Sequence, residues 1–265
     1  MLYWLLFLKL QHYFPPFRIF RYLTFRTAFA SLTALFTALI VGPLVINRLR
    51  EFQIGQYIRE EGPKAHQKKA GTPTMGGLLI AIAIVVPTLL WADLSNRFVW
   101  IAVFATCAFA AIGFTDDYTK VARRRNLGLT ARAKLGLQVA TSIVIAVMLI
   151  TMQTYGMYST KLIVPFIKQF HPDLVVETLE HNPHLWGLAF VPFIAFVVLV
   201  IVGSSNAVNL TDGLDGLAIG CTVIAAGALT VLTYVSGHAT FATYLEIPRM
   251  PQVGELTIFC GAMVG

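Results

Sequence analysis

Long apolar runs separated by short polar stretches organise the whole chain. They lie near 20–46, 74–92, 98–115, 134–153, 186–203 and 214–236, with a last one starting near 254. Each approaches the roughly 20 residues a helix needs to cross the hydrocarbon core. In lipid the backbone must satisfy its own hydrogen bonds, which a helix does within one segment. The pattern therefore predicts an all-α fold: a polytopic transmembrane helix bundle with six spans and part of a seventh. Pro43, Pro87 and Pro192 fall inside these runs, where membrane helices tolerate kinks that neighbours satisfy. With no internal repeat or low-complexity tract, residues 1–265 read as one transmembrane domain.

Ahead of the first run, Trp4, Phe7, Tyr13, Phe14 and Phe17 interleave with Lys9 and Arg18. That mixture suits a segment lying in the membrane interface. It has no basic stretch before Leu5 and no small-residue cleavage site, so it is expected to stay on the mature protein.

Composition supports a membrane solvent. The chain is 57% hydrophobic and 12% charged, about half the ~25% of a soluble domain. The net charge of +7 does not indicate nucleic acid, because the basic residues sit mainly in two short loops. Those loops carry Arg48, Arg50, Arg59, Lys64, Lys68 and Lys69, and then Lys120, Arg123, Arg124, Arg125, Arg132 and Lys134. The alternate side is sparser: Arg97, Lys161, Lys168 and Arg249, with Lys9, Arg18, Arg21 and Arg26 at the N-terminus. The dense loops belong in the cytoplasm and the N-terminus outside. Cys107, Cys221 and Cys260 lie in apolar runs without paired spacing and read as small buried hydrophobes. His171, His181 and His184 fall in an outer loop at 155–184; their irregular spacing suits a covering loop, not a metal site.

Three polar motifs fall on the cytoplasmic side. The sharpest is Gly113-Phe114-Thr115-Asp116-Asp117-Tyr118-Thr119-Lys120. Adjacent carboxylates repel, and a helix C-terminus already carries partial negative charge. A divalent cation, or a base held ready, would justify the pair. Lys120 shares their face if the helix continues, which also permits the bland reading of a solvated helix end with a local salt bridge.

The second motif, Asn206 to Ala218, places Asn206, Asn209, Asp212 and Asp215 at three-residue steps. Asp212 suits an N-cap for the sixth span and Asp215 its first turn. Capping needs one side chain, though, and amides and carboxylates beside glycines also suit a nucleoside. In the third motif, Lys68 to Gly77, Thr72 and Pro73 read as the cap and first residue of the second span. Two lysines there make an anion site; positive-inside charge and tight glycine packing explain them equally. Together the motifs offer acids for a metal, donors for a phosphate and polar groups for a nucleotide, the equipment of phosphoryl transfer.

These residues resemble the polyprenyl-phosphate N-acetylhexosamine-1-phosphate transferases. GTPTMGG at Gly71–Gly77, the Asp116-Asp117 pair with Lys120, and NAVNLTDGLDGLA at Asn206–Ala218 carry the resemblance; the wider family shares the paired aspartates, and the wording of the other two motifs favours the MurNAc-pentapeptide branch. The resemblance implies transfer of phospho-MurNAc-pentapeptide from UDP-MurNAc-pentapeptide to undecaprenyl phosphate, giving lipid I and UMP. Mg2+ would be the cofactor, the bacterial inner membrane the location, and a homodimer the assembly. Asp116 would be the base for the lipid phosphate, although a covalent aspartyl route is also proposed for the family. Asp117 would support metal and Lys120 phosphate. Lys69 and Thr74 would line the nucleotide side. Asp212, Gly213, Leu214 and Asp215 would hold uridine, with Asn209 supporting their loop. The family pattern has about ten spans of membrane-crossing length, with a third aspartate and a histidine-rich motif expected beyond Gly265. A sister GlcNAc-1-phosphate transferase shares much of this pattern. A transporter would instead place its acids near the midplane of the spans.

Overall fold

The computed structural model describes residues 1–51, 75–123, 128–164, 167, 170–180, 185–212 and 216–265. Its main helices are α1 (Leu23–Glu51), α2 (Gly77–Trp91), α3 (Arg97–Ala122), α4 (Ala131–Thr154), α5 (Val191–Thr211), α6 (Leu217–Gly237) and α7 (Leu256–Val264). Among the described residues the only β-type pairing is an isolated bridge between Lys161 and Asp173, so the fold is all-α. Among the described residues five helices, α1 and α3 to α6, are long and apolar enough to cross a membrane. Helix α2 has 15 residues and rises about 22 Å, short of the ~30 Å core. Large apolar side chains cover the outer faces: Leu39, Ile40 and Leu44 on α1, Leu199 on α5 and Ile224 on α6 are all exposed. Water would penalise such continuous apolar surface; lipid does not. The protein is a multi-pass membrane protein.

The chain forms two compact units, residues 1–130 with 216–265, and residues 131–215. In the first, α7 packs on α1, α2 and α6, and α2 on α1 and α3. Its core joins Ala30 and Ala34 of α1, Trp91, Val99 and Val103, and Ile258 and Ala262 of α7. Small residues allow this proximity: a Cβ on Gly261 would stand 2.5 Å from Thr27 Cγ2 and 3.1 Å from its carbonyl oxygen.

The N-terminal segment winds through Trp4–Lys9, Leu10–His12 and Pro15–Arg21 as wide and tight helical turns. Phe20 stacks on Trp91 with centroids 5.6 Å apart, and Trp91 Nε1 donates to Thr33 Oγ1 at 2.9 Å. Arg26, counted above among the topology charges, is buried. Its guanidinium donates to Glu255 at 2.7 and 2.8 Å and to the Trp91 carbonyl at 3.2 Å. It also lies 4.1 Å from the Tyr3 ring centre. The Asp93 N–H donates to the same glutamate at 3.0 Å. One ion pair thus joins α1, the end of α2 and the start of α7.

In the second unit, α4 packs on α5. Ala146, Ile150, Val175, Ala189, Phe190 and Phe193 form its core. Deeper along the same pair, Gln138 and Ser142 are buried. Gln138 Nε2 donates to Ser205 Oγ at 3.2 Å, and Asn206 Nδ2 donates to Gln138 Oε1 at 2.9 Å. The covering segment is tied by Asp173, whose Oδ1 accepts from Thr160 Oγ1 at 2.6 Å and the Val175 N–H at 3.0 Å. His171 is exposed there; His181 and His184 lie outside the described residues.

Several boundaries correct the sequence reading. The expected run at 186–203 becomes a helix at Val191–Thr211 with Pro192 in its first turn, where a missing N–H costs nothing and no kink is needed. The expected loop at 204–213 is helical to Thr211, and Asn206 within it meets Gln138 of α4. Helix α6 begins at Leu217, after Gly216 in the left-handed region at φ 83°. Helix α2 begins at Gly77, because Met75 holds φ 73° and interrupts any turn entering from residue 74.

Candidate active site

Helix α3 opens with Asn96, whose side chain accepts the Phe98 N–H at 2.9 Å and satisfies one of the orphan donors of the first turn. From Arg97 the helix rises about 28 Å before it reaches Asp116, close to the thickness of the hydrocarbon core. The acid pair therefore sits at the end of α3 opposite Arg97, and the helix continues to Ala122. Continuation makes the geometry: Lys120 Nζ lies 2.8 Å from Asp116 Oδ2 and 2.9 Å from Asp117 Oδ1. Asp116 Oδ1 accepts the Leu129 N–H at 2.8 Å. Thr115 and Thr119 spend their hydroxyls on the carbonyls one turn back. Phe114 and Tyr118, both exposed, stack on the flank with centroids 6.1 Å apart.

Two carboxylates share one ammonium near a helix C-terminus, where the dipole adds partial negative charge, and Arg123 closes the helix. Their hard oxygens suit a divalent cation. Lys120 has three N–H donors and spends two on the acids; the third can reach a phosphate oxygen. The two acids differ in exposure, with side chains 14% exposed for Asp116 and 32% for Asp117. The first is held within the protein and the second is open to a ligand.

The other expected site residues are distributed unevenly. Asn209 is exposed on the last turn of α5, and Asp212 closes that helix, its N–H donating to the Val208 carbonyl at 3.1 Å. Asp212 is thus a C-terminal residue of α5 and not the N-cap of α6, a correction that follows from the extra length of α5. Lys69, Thr72, Pro73, Thr74, Gly213, Leu214 and Asp215 lie outside the described residues. Among the described residues no three His, Cys, Asp or Glu side chains gather as a metal cluster. The sequence reading missed Gly128 and Leu129, which reach Asp116 from 12 and 13 residues away. It also missed Gln138, whose only signal was a lone amide in an apolar run.

Residues 99–251 match the family model described as glycosyl transferase family 4. Residues 69–80 match the model described as phospho-N-acetylmuramoyl-pentapeptide-transferase signature 1. A phospho-N-acetylmuramoyl-pentapeptide-transferase of Koribacter versatilis is 75% identical over 267 residues, covering 100% of this chain and 70% of that protein. The chain belongs to this family. A phospho-N-acetylmuramoyl-pentapeptide-transferase of Acidobacterium capsulatum is 72% identical over 265 residues, and one of Solibacter usitatus 59%, each with 100% of this chain and 70% of the relative covered. The Asp116–Asp117–Lys120 cluster lies within the stretch matched to glycosyl transferase family 4, and the phospho-N-acetylmuramoyl-pentapeptide-transferase signature spans the start of α2.

Proposed function

We propose that the protein transfers phospho-MurNAc-pentapeptide from UDP-MurNAc-pentapeptide to undecaprenyl phosphate, giving lipid I and UMP in peptidoglycan synthesis. Family membership across the whole chain carries the reading. The paired carboxylates clasped by Lys120 supply a place for the chemistry. Positive-inside counting favours the cytoplasmic face for that end of α3, and the family resemblance implies the bacterial inner membrane.

In the reaction, Asp116 takes the proton from the lipid phosphate. A phosphate oxygen then attacks the sugar-linked phosphorus of the nucleotide. A new P–O bond forms to the lipid phosphate, the bond to the bridging oxygen breaks, and UMP leaves with that oxygen. Lys120 directs its remaining N–H at a phosphate oxygen, so that positioning and charge neutralisation do most of the work. Asn209, Asp212 and the residues to Asp215 hold uridine, and Lys69 and Thr74 the nucleotide side. Hard carboxylate oxygens suit Mg2+, and Asp117 would hold it; when bound, the ion would neutralise phosphate charge and polarise the phosphoryl group. Among the described residues only Oδ1 of Asp117 is engaged, by Lys120.

The test is UMP release by the full-length protein in detergent with Mg2+, undecaprenyl phosphate and the pentapeptide donor. Release that is lost in D116N and absent with UDP-GlcNAc supports the reading. Release from UDP-GlcNAc alone would reassign the donor to GlcNAc, and no release from either donor by folded protein would end the transferase reading.

A further inference from the structure

The carboxylate of Asp116 is anchored at both oxygens, and one anchor comes from a segment that no sequence motif marked. Oδ2 meets Lys120 Nζ at 2.8 Å, from one turn further along α3. Oδ1 meets the Leu129 N–H at 2.8 Å, from the stretch just before α4. Gly128 lies against the same carboxylate. A Cβ there would overlap Asp116 Oδ1 and would stand 2.7 Å from the Asp116 carbonyl oxygen and 2.8 Å from its Cγ. A Cβ would push the carboxylate or the helix backbone out of place, so only glycine brings the backbone this close.

We infer that Gly128 and the Leu129 backbone amide position Asp116 for proton transfer. The inference rests on the reading of Asp116 as the base. The terminal torsion of an aspartate is broad, so a carboxylate tied by one oxygen swings about its own axis. A charge-assisted N–H bond at the second oxygen fixes its plane. A carboxylate fixed in this way meets the lipid phosphate in one orientation, and small displacements of a reacting group are costly in rate.

Two variants of the full-length protein separate this role from simple loop stability. Gly128→Ala forces the carboxylate aside but retains the amide. Leucic acid in place of Leu129 turns one peptide bond into an ester, which replaces the N–H by an oxygen that cannot donate and leaves the side chain unchanged. Both are expected to lower kcat for UMP release by about ten- to a hundredfold. KM for the donor and for undecaprenyl phosphate should stay within about twofold, because substrate contacts made equally in ground and transition states are untouched. A KM increase at unchanged kcat would overturn the inference and make the segment a substrate contact. Full kcat in the ester variant, with D116N inactive, would overturn the positioning role alone. Full activity in D116N would remove the base reading and the positioning with it.

Discussion

Lys120 makes the acid pair tolerable, and its removal exposes what the pair costs. Its two contacts, at 2.8 and 2.9 Å, bring Asp116 and Asp117 together at a helix end whose dipole disfavours acids. Lys120→Met leaves the two charges opposed and removes the donor for phosphate. UMP release should then fall at least about a hundredfold, the scale of losing one preorganised electrostatic donor. A fall of less than about threefold would show that the ammonium serves only as a salt bridge. Arg26 presents a different residue-scale problem. It is buried with its Nε unpartnered, and its charge is balanced by Glu255. Glu255→Gln strands that charge and should cost about 3 kcal/mol, since breaking one side of a buried pair is worse than removing both. Arg26→Met combined with Glu255→Gln should recover part of the loss, read as the midpoint of thermal unfolding in detergent.

At the element scale, the contact of α4 with α5 combines an apolar end with an amide lock. Gln138, Ser205 and Asn206 satisfy one another where the helices leave their most apolar stretch. Replacing Asn206 leaves the buried Gln138 without that bond, while Asn206 keeps its bond to the Val202 carbonyl when Gln138 is replaced; replacing both by apolar groups can be nearly neutral. Gln138→Leu and Asn206→Leu singly should each destabilise the protein by about 1 kcal/mol, with the double variant costing less than their sum. Strict additivity in the thermal midpoints would show that the amides do not interact. The α1–α7 contact depends instead on size. A side chain at Gly261 must displace Thr27, and Gly261→Leu should cost about 1–3 kcal/mol through overpacking, whereas Cys107, exposed on α3, should accept Ala with no measurable change.

At the scale of the whole molecule the decisive question is sidedness. Helix α3 alone is long enough to place Ser95 and Arg123, both exposed, beyond opposite faces of the bilayer. In a cysteine-free background, a membrane-impermeant maleimide applied to intact spheroplasts should label Ser95→Cys. Arg123→Cys should react only after the membrane is opened. The reverse pattern would invert the topology assigned from the basic loops and move the acid pair to the outer face.

Apolar run length and the clustering of basic residues by themselves determined that the protein is an all-α membrane bundle. Both are set by the bilayer and need no tertiary contact to be read. The Asp116, Asp117 and Lys120 cluster was equally legible, since helical spacing alone brings residues three and four apart together. Helix ends were not. Helix α5 runs on through Asn206, which Gln138 meets from 68 residues away, and α2 starts only after a left-handed Met75. The burial of Arg26 against Glu255, 229 residues distant, and the hold of Gly128 and Leu129 on Asp116 are likewise products of the folded chain. Local spacing records what neighbours along a helix can do; which distant backbone comes within 3 Å of a carboxylate is decided only when the helices pack.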